Sequence, residues 1–147
     1  MVGKYKVITL CGSTRFKDAF LEIQKRLTLE GNIVISVGLF GHSGDDEVWT
    51  EGTKEMLDDM HKAKISMADE IFVINVGGYI GSSTRSEIEY AKATGKPVRY
   101  LESYLCGKLL RQGSKSGPER AYRRPDEEMG VFIRKPISWP HRAKENP

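Results

Sequence analysis

Glu87 is a carboxylate that follows a turn rich in glycine and hydroxyl side chains. The turn, residues 77–84, reads Gly-Gly-Tyr-Ile-Gly-Ser-Ser-Thr, and apolar residues recur at helical spacing just beyond it. Where such a turn opens into a helix, backbone N–H groups and the positive end of the helix dipole favour an anion such as a phosphate. The pattern therefore predicts an anion-binding turn with a carboxylate close to it, in the first turn of the helix.

Glu87 also has a purely structural interpretation. It lies three residues after Thr84, which is the spacing of a capping box, where two side chains bind backbone N–H groups at a helix start. Acidic residues are frequent in first helical turns for electrostatic reasons as well. On the sequence alone, the functional and the capping interpretations both stay open.

A second turn that suits a phosphate follows the first predicted strand and reads Cys11-Gly12-Ser13-Thr14-Arg15. The guanidinium of Arg15 beside free N–H groups is typical of a phosphate or ribose site, although a plain helix N-cap explains the Gly-Ser pair equally well. The chain has neither the Gly-x-x-x-x-Gly-Lys-Ser/Thr phosphate loop nor the Gly-x-Gly-x-x-Gly dinucleotide fingerprint. ATP hydrolysis of the Walker type is therefore not predicted.

Several histidine and acidic side chains lie close together in the sequence, at His42, Asp45, Asp46, Asp58, Asp59 and His61. Their spacing matches no recognised zinc pattern, and such residues in a loop and on an exposed helix face are usually solvated. Cys11 and Cys106 are too far apart in sequence to suggest a disulfide framework or a metal cluster, and their apolar neighbours predict buried, reduced thiols. Neither a metal site nor a cofactor is predicted.

Strands and helices alternate along the first hundred residues. Apolar β-forming runs occur at residues 6–11, 32–37, 71–76 and 98–101. Segments of helical periodicity separate them, and the helix that contains Glu87 ends at Gly95. This alternation predicts an α/β fold, a three-layer Rossmann-like sandwich with a doubly wound, mainly parallel sheet. Loops 12–15, 38–50 and 77–86 would then meet at one edge of the sheet, where we expect the site.

The composition predicts a single domain with a basic extension. With 39% hydrophobic and 29% charged residues the chain resembles an ordinary globular protein. Residues 1–107 hold 13 Lys and Arg against 15 Asp and Glu, whereas residues 108–147 hold 10 against 5. We therefore expect an α/β domain over residues 1–107 and a partly ordered basic extension over 108–147 that packs on it.

Within the extension, residues 113–118 are predicted to form a linker and residues 130–136 an edge strand. Its charge could attract nucleic acid, which would make binding steeply salt-dependent, but it has no aromatic ladder or known reader motif. Nucleic acid is therefore not the expected partner. No apolar run is long enough for a membrane span and no signal-like segment opens the chain, so a cytoplasmic protein without a membrane partner is expected.

Three segments carry a family resemblance. They are Cys11-Gly12-Ser13-Thr14-Arg15, then Ala-Asp-Glu-Ile-Phe-Val at residues 68–73, then Gly81-x-x-x-x-x-Glu87-Ile88-x-Tyr90-Ala91-x-x-x-Gly95-Lys96-Pro97. In this order and spacing they resemble the nucleoside 2-deoxyribosyltransferase family, especially its branch of 2'-deoxynucleoside 5'-monophosphate N-glycosidases. The likeness extends over residues 5–102, and its last segment is the most specific part.

The resemblance implies that Glu87 is the nucleophile of an enzyme acting on a nucleoside or its 5'-monophosphate. A carboxylate suits this role because cleavage of an N-glycosidic bond passes through an oxocarbenium-like state, which a carboxylate can stabilise or trap as a glycosyl ester. The helix N-terminus would keep Glu87 ionised. The resemblance also implies a homodimer or a larger homo-oligomer and no cofactor.

The same resemblance implies a set of substrate-binding residues. Those expected at the 5' side of the sugar and its phosphate are Gly12, Ser13, Arg15, Ser82 and Ser83. Those expected to stack on the base lie in one loop and are Phe40, His42 and Trp49. Asp69 and Gly81 belong to the matched segments and are expected to bind substrate as well.

One position departs from the family pattern. Eight residues before Asp69 the family usually has an aspartate that contacts the sugar or the base, and this chain has His61. Asp59, with its neighbour Asp58, is a candidate for that contact, and His61 is a candidate to protonate the leaving base. The alternative that His61 favours is a nucleotide-binding sensor module of the same fold without catalysis.

Overall fold

The computed structural model describes residues 1–113 of the chain, with side chains as far as residue 108. Strands and helices alternate in this part as β1 (Val7–Gly12), α1 (Lys17–Leu29), β2 (Ile33–Ile35), α2 (Thr53–Met67), β3 (Glu70–Ile74), α3 (Ser82–Ala93), β4 (Val98–Tyr100) and α4 (Leu101–Gly113). Short 3-10 turns interrupt the loops that follow β1, β2 and β3.

The strands form one parallel sheet in the order β2-β1-β3-β4. Ile8 of β1 pairs with Val34 on one side and with Glu70 on the other, and β4 continues the sheet beyond β3. All five residues of β3 are buried, as expected for a central parallel strand. Because the strands are parallel, their carboxyl ends share one edge.

Helices cover both faces of the sheet. On one face, a buried cluster joins strand residues to α2 and α3, and its members are Cys11, Ile65, Ile71, Val73, Ile88 and Ala91. On the other face, Phe72 contacts the ring of Tyr104 in α4, with 5.5 Å between ring centroids. Neighbouring strand residues point to opposite faces, so helices lie on both sides. The predicted three-layer α/β sandwich with a doubly wound parallel sheet is therefore confirmed.

β1 and β3 approach each other closely at Gly12. A Cβ atom built on Gly12 would lie 2.9 Å from the carbonyl oxygen of Ile74 and 3.3 Å from the ring of Phe20. Glycine therefore allows the end of β1 to stay beside β3 while α1 packs underneath. This contact fixes the turn after β1 relative to the end of β3.

Two helices have features that the sequence patterns did not predict. α2 begins only at Thr53, because a 3-10 turn covers Asp46–Trp49 and Gly52 adopts the left-handed φ of 78°. α4 was not predicted at all, since Gly107 inside it weakens the helical pattern. Cys106 lies on α4 and is exposed, so the prediction of a buried thiol there is wrong.

Met1–Tyr104 forms one compact unit, and a second unit, Leu105–Pro147, is described only through residue 113. The predicted boundary at residue 107 and the packing of the extension stay predictions. The proposed edge strand at 130–136, and the linker beyond Gly113, lie outside the described residues. Among the helices of residues 1–113, none has the length and apolar character needed to cross a membrane.

Candidate active site

A cavity of about 380 Å³ opens at the carboxyl edge of the sheet. Its walls come from the turn after β1, the loop after β2, α2, and the turn that opens α3. The predicted meeting of three loops at this edge is therefore confirmed. The predicted site residues that line the cavity are Gly12, Ser13, Arg15, His42, Trp49, Asp58, His61, Gly81, Ser82, Ser83 and Glu87.

Glu87 lies in the second turn of α3, not in the first. The helix begins at Ser82 with Gly81 as its N-cap, and no side-chain hydrogen bond caps it. Thr84 is inside the helix and buried, so it does not form the capping box that its spacing suggested. The capping interpretation of Glu87 is therefore wrong.

The side chain of Glu87 is only 12% exposed, and its Oε2 atom is buried without a hydrogen-bond partner. Burial raises the pKa of Glu87 to about 7, with a smaller opposing effect from the neighbouring thiol of Cys11 and a raising effect from the charge of Asp58. The expectation that the helix N-terminus keeps Glu87 ionised is therefore wrong. Beyond the first turn the dipole is weak, and desolvation decides the pKa.

His61 and Cys11 lie beside Glu87. The Nε2 atom of His61 is 4.0 Å from Oε2 of Glu87 and 3.5 Å from Sγ of Cys11. Burial lowers the pKa of His61 to about 4, with a further lowering effect from the charge of Lys64. At neutral pH the imidazole is uncharged, so an imidazolium at this position does not supply a proton to a leaving group. Burial also raises the pKa of Cys11 well above its ordinary value, so this thiol is not an ionised nucleophile.

Polar and cationic groups occupy the side of the cavity near α1 and α3. Arg15 donates a hydrogen bond from Nε to the hydroxyl of Ser13 at 3.1 Å, and its guanidinium lies over the ring of Tyr79, 4.5 Å from the centroid. The N-terminus of α3, with Ser82 and Ser83, faces the same space. This side of the cavity is suited to an anionic group.

The backbone of the glycine-rich turn itself is already hydrogen-bonded. The N–H of Gly77 donates to Oε1 of Glu102 at 3.0 Å, and the N–H groups of Gly78 and Tyr79 donate to the carbonyls of Asn75 and Val76. The anion-binding donors predicted for residues 77–79 are therefore not free. The N–H groups that remain for a ligand are those at the start of α3.

The loop after β2 adds aromatic rings to the cavity wall. Nδ1 of His42 lies 2.8 Å from the hydroxyl of Thr14, and its ring meets that of Trp49 edge to face with centroids 5.2 Å apart. Trp49 is 53% exposed and lines the cavity. Together these rings offer a planar ligand a surface beside the polar end.

Three predicted site residues lie away from the cavity. Phe40 is a core residue, with its ring 5.4 Å from that of Phe20. Asp69 precedes β3 at the opposite end of the sheet, where its Oδ2 accepts a hydrogen bond from the N–H of Val7 at 2.7 Å. Asp59 is exposed on α2, because its side chain is rotated by about 100° from that of Asp58. The structure therefore does not bring these three residues into the cavity.

The cavity also includes Lys54 and Tyr79, which the sequence analysis did not assign to the substrate site. Lys54, Asp58 and His61 share one face of α2, and Lys54 Nζ lies 2.6 Å from Oδ2 of Asp58. Their i, i+4, i+7 spacing was visible in the sequence and indicates a shared face. Tyr79 had no comparable signal, because its place depends on the turn that follows β3.

The arrangement brings a buried carboxylate, an anion-binding end and an aromatic wall into one cavity. Such a cavity can hold a small molecule with a planar group at one end and an anionic group at the other. The carboxylate of Glu87 would then contact the part of the molecule between these two groups. Its volume lies within the roughly 300–1,000 Å³ that is typical of small-molecule sites. No protein-family model, curated protein or solved structure matches this chain.

Proposed function

We propose that this chain cleaves or exchanges the N-glycosidic bond of a nucleoside or nucleoside 5'-monophosphate, with Glu87 as the nucleophile. The observation that carries the proposal is the buried Oε2 atom of Glu87, which has no hydrogen-bond partner although the residue lines the cavity. A buried acceptor without a partner is costly to a fold and is typical of a functional site. The family resemblance described above supports the same role.

In this proposal the substrate lies with its base near Trp49 and its 5' side near Arg15. The carboxylate of Glu87 attacks the anomeric carbon, and the base leaves with the bonding electrons and takes a proton from water. The resulting glycosyl ester is released by water in a hydrolase or by a second base in a transferase. Asp58, which lines the cavity, contacts the sugar or the base in place of the family's usual aspartate.

The test is release of a free base from a panel of ribo- and deoxynucleosides and their 5'-monophosphates, followed by chromatography with and without an added second base. Glu87→Gln is expected to lower the rate by at least about 10³-fold, because the nucleophile is lost. Glu89→Gln is the matched control, since Glu89 is an exposed acid on the same helix. Dependence on the added base distinguishes a transferase from a hydrolase.

The second candidate is a nucleotide sensor that binds without turnover. It is favoured by His61, an uncharged imidazole where the family resemblance leads us to expect an aspartate. It predicts that a nucleotide raises the melting temperature while remaining intact, and that Glu87→Gln binds it about as tightly as wild type. Base release by wild-type protein that Glu87→Gln abolishes would eliminate the sensor.

We also propose, on the family resemblance alone, that the chain works as a homodimer or larger homo-oligomer. Light scattering of the purified full-length chain measures this directly. A monomer at the concentrations used for the base-release assay would overturn it.

A further inference from the structure

Cys11, His61 and Glu87 bring three different metal-ligating atoms together beside the cavity. The sulfur, one ring nitrogen and one carboxylate oxygen all lie within 4.8 Å of one another. They come from β1, α2 and α3, and β1 and the two helices belong to one buried cluster. The three groups are therefore held by rigid elements and not by loops.

The distances are close to those of a tetrahedral zinc site. With Zn–S near 2.3 Å and Zn–N near 2.0 Å, tetrahedral angles place sulfur and nitrogen about 3.5 Å apart. Cys11 Sγ and His61 Nε2 are 3.5 Å apart. The same geometry places nitrogen and oxygen about 3.4 Å apart, and His61 Nε2 and Glu87 Oε2 are 4.0 Å apart. The ligand atoms of Cys11 and Glu87 lie within 4.8 Å of each other. Because a tetrahedral site needs sulfur and oxygen about 3.6 Å apart, the flexible glutamate side chain has to move by roughly 1 Å.

We propose that Cys11, His61 and Glu87 form a site for Zn²⁺ or a similar borderline divalent cation, with a fourth position open to the cavity. A thiolate, an imidazole and a carboxylate are all zinc ligands, whereas Mg²⁺ and Ca²⁺ prefer sets made of oxygen alone. The buried Glu87 Oε2 atom has no hydrogen-bond partner and is available as a ligand. Because two of the three ligand atoms are sulfur and nitrogen, Mg²⁺ is expected to bind weakly at this position.

The route for the ion is the cavity itself. His61 and Glu87 line it, and Cys11, which is fully buried, lies behind them. On binding, the sulfur forms a bond to the metal and its proton passes to water, with no change in oxidation state.

Because the ion occupies the carboxylate of Glu87, bound Zn²⁺ is expected to prevent nucleophilic attack. The metal proposal does not depend on the proposed glycosidase, since the ion binds without any nucleotide.

Cobalt titration of the chelator-treated, full-length protein tests the site. Co²⁺ is expected to produce the thiolate-to-cobalt charge-transfer band and the strong visible absorption of tetrahedral cobalt, and Zn²⁺ is expected to displace it. Cys11→Ser should remove the charge-transfer band. Cys106→Ser should retain it, because Cys106 is the exposed cysteine on α4.

Calorimetric titration with Zn²⁺ measures the contribution of the other two ligands. His61→Asn and Glu87→Gln are each expected to weaken binding by at least about tenfold. Loss of a residue that only hydrogen-bonds to a metal ligand already has an effect of this size, and a direct ligand should contribute at least as much. Circular dichroism checks that each variant is folded. Absence of the thiolate band in wild-type protein, or an equal band in Cys11→Ser, overturns the proposal even if the other variants fail to fold.

Discussion

At the level of single residues, burial of the Glu87 carboxyl group lowers the stability of the fold once the group ionises. Its pKa is about 7 in the folded chain against an ordinary value of 4.5. A raised folded-state pKa means that the folded protein binds more protons than the unfolded one between these values. The stability that the folded protein gains from holding this proton is therefore fully present below about pH 4.5 and is lost as the pH rises through about 7.

Glu87→Gln should accordingly be more stable than wild type at high pH. The expected difference in the free energy of unfolding grows between pH 5 and pH 8 and approaches about 3 kcal/mol, since each unit of pKa corresponds to about 1.36 kcal/mol. Urea unfolding of both proteins across this range measures it. Glu89→Gln serves as the control and should follow wild type at every pH. A glutamine variant that is less stable than wild type at pH 8 would contradict the burial argument.

The same pKa sets the pH dependence of the proposed reaction. Only ionised Glu87 can attack, so kcat/KM for an unphosphorylated nucleoside should rise with pH and reach half of its plateau near pH 7 in chelator-treated protein. The groups that face Glu87 and can shift this midpoint are Cys11, Lys54, Asp58, His61 and Lys62. A rate that is constant from pH 5 to pH 8 would show that Glu87 ionises well below neutrality or is not the nucleophile.

At the level of elements, the orientation of α2 decides which of two adjacent aspartates can reach a substrate. Asp58 lines the cavity and Asp59 is exposed to solvent. Asp58→Asn should lower kcat/KM by about 10- to 100-fold, because a hydrogen bond to a charged group contributes about 1.5–3 kcal/mol. Asp59→Asn, measured in parallel, should stay within about twofold of wild type. Equal losses in the two variants would mean that α2 is rotated from the position described.

The close contact between β1 and β3 at Gly12 leads to a second prediction at this level. Gly12→Ala should lower the free energy of unfolding by about 1–3 kcal/mol, because the new methyl group meets the backbone of Ile74 and the sheet has to shift. Gly38→Ala is the matched control, since a Cβ atom at Gly38 has no neighbour within 4 Å. Denaturant unfolding of both variants measures the difference, and equal stabilities would refute the close contact.

Sequence patterns predicted the strands, because each is an apolar run followed by a turn, and predicted a parallel sheet, because helices alternate with the strands. They did not predict which acids reach the site. Asp69 matched a family segment, but it precedes β3 and therefore lies at the wrong end of the sheet. The raised pKa of Glu87 also has no local signal, since it depends on burial against α2 and β1. The place of a residue in a motif could be predicted from the sequence. Its burial and its pKa could not, because they depend on which helices and strands pack around it.

At the level of the whole molecule, the cavity-lining residues within the described part of the chain lie between Gly12 and Glu87. Met1–Tyr104 forms one compact unit that contains the complete sheet and α1 to α3. The groups proposed to act on a nucleoside are therefore contained in this unit. The basic residues of the predicted extension have no part in the chemistry as proposed.

A chain that ends at residue 113, and so keeps all of α4, should therefore fold and release base at the wild-type rate. We expect its free energy of unfolding to differ from that of the intact chain by less than about 1 kcal/mol, because it keeps the whole compact unit Met1–Tyr104. Circular dichroism, urea unfolding and the base-release assay compare the two proteins at several salt concentrations, since removing basic residues changes the net charge. A shortened chain that folds but loses activity at every salt concentration would place part of the site in residues 114–147.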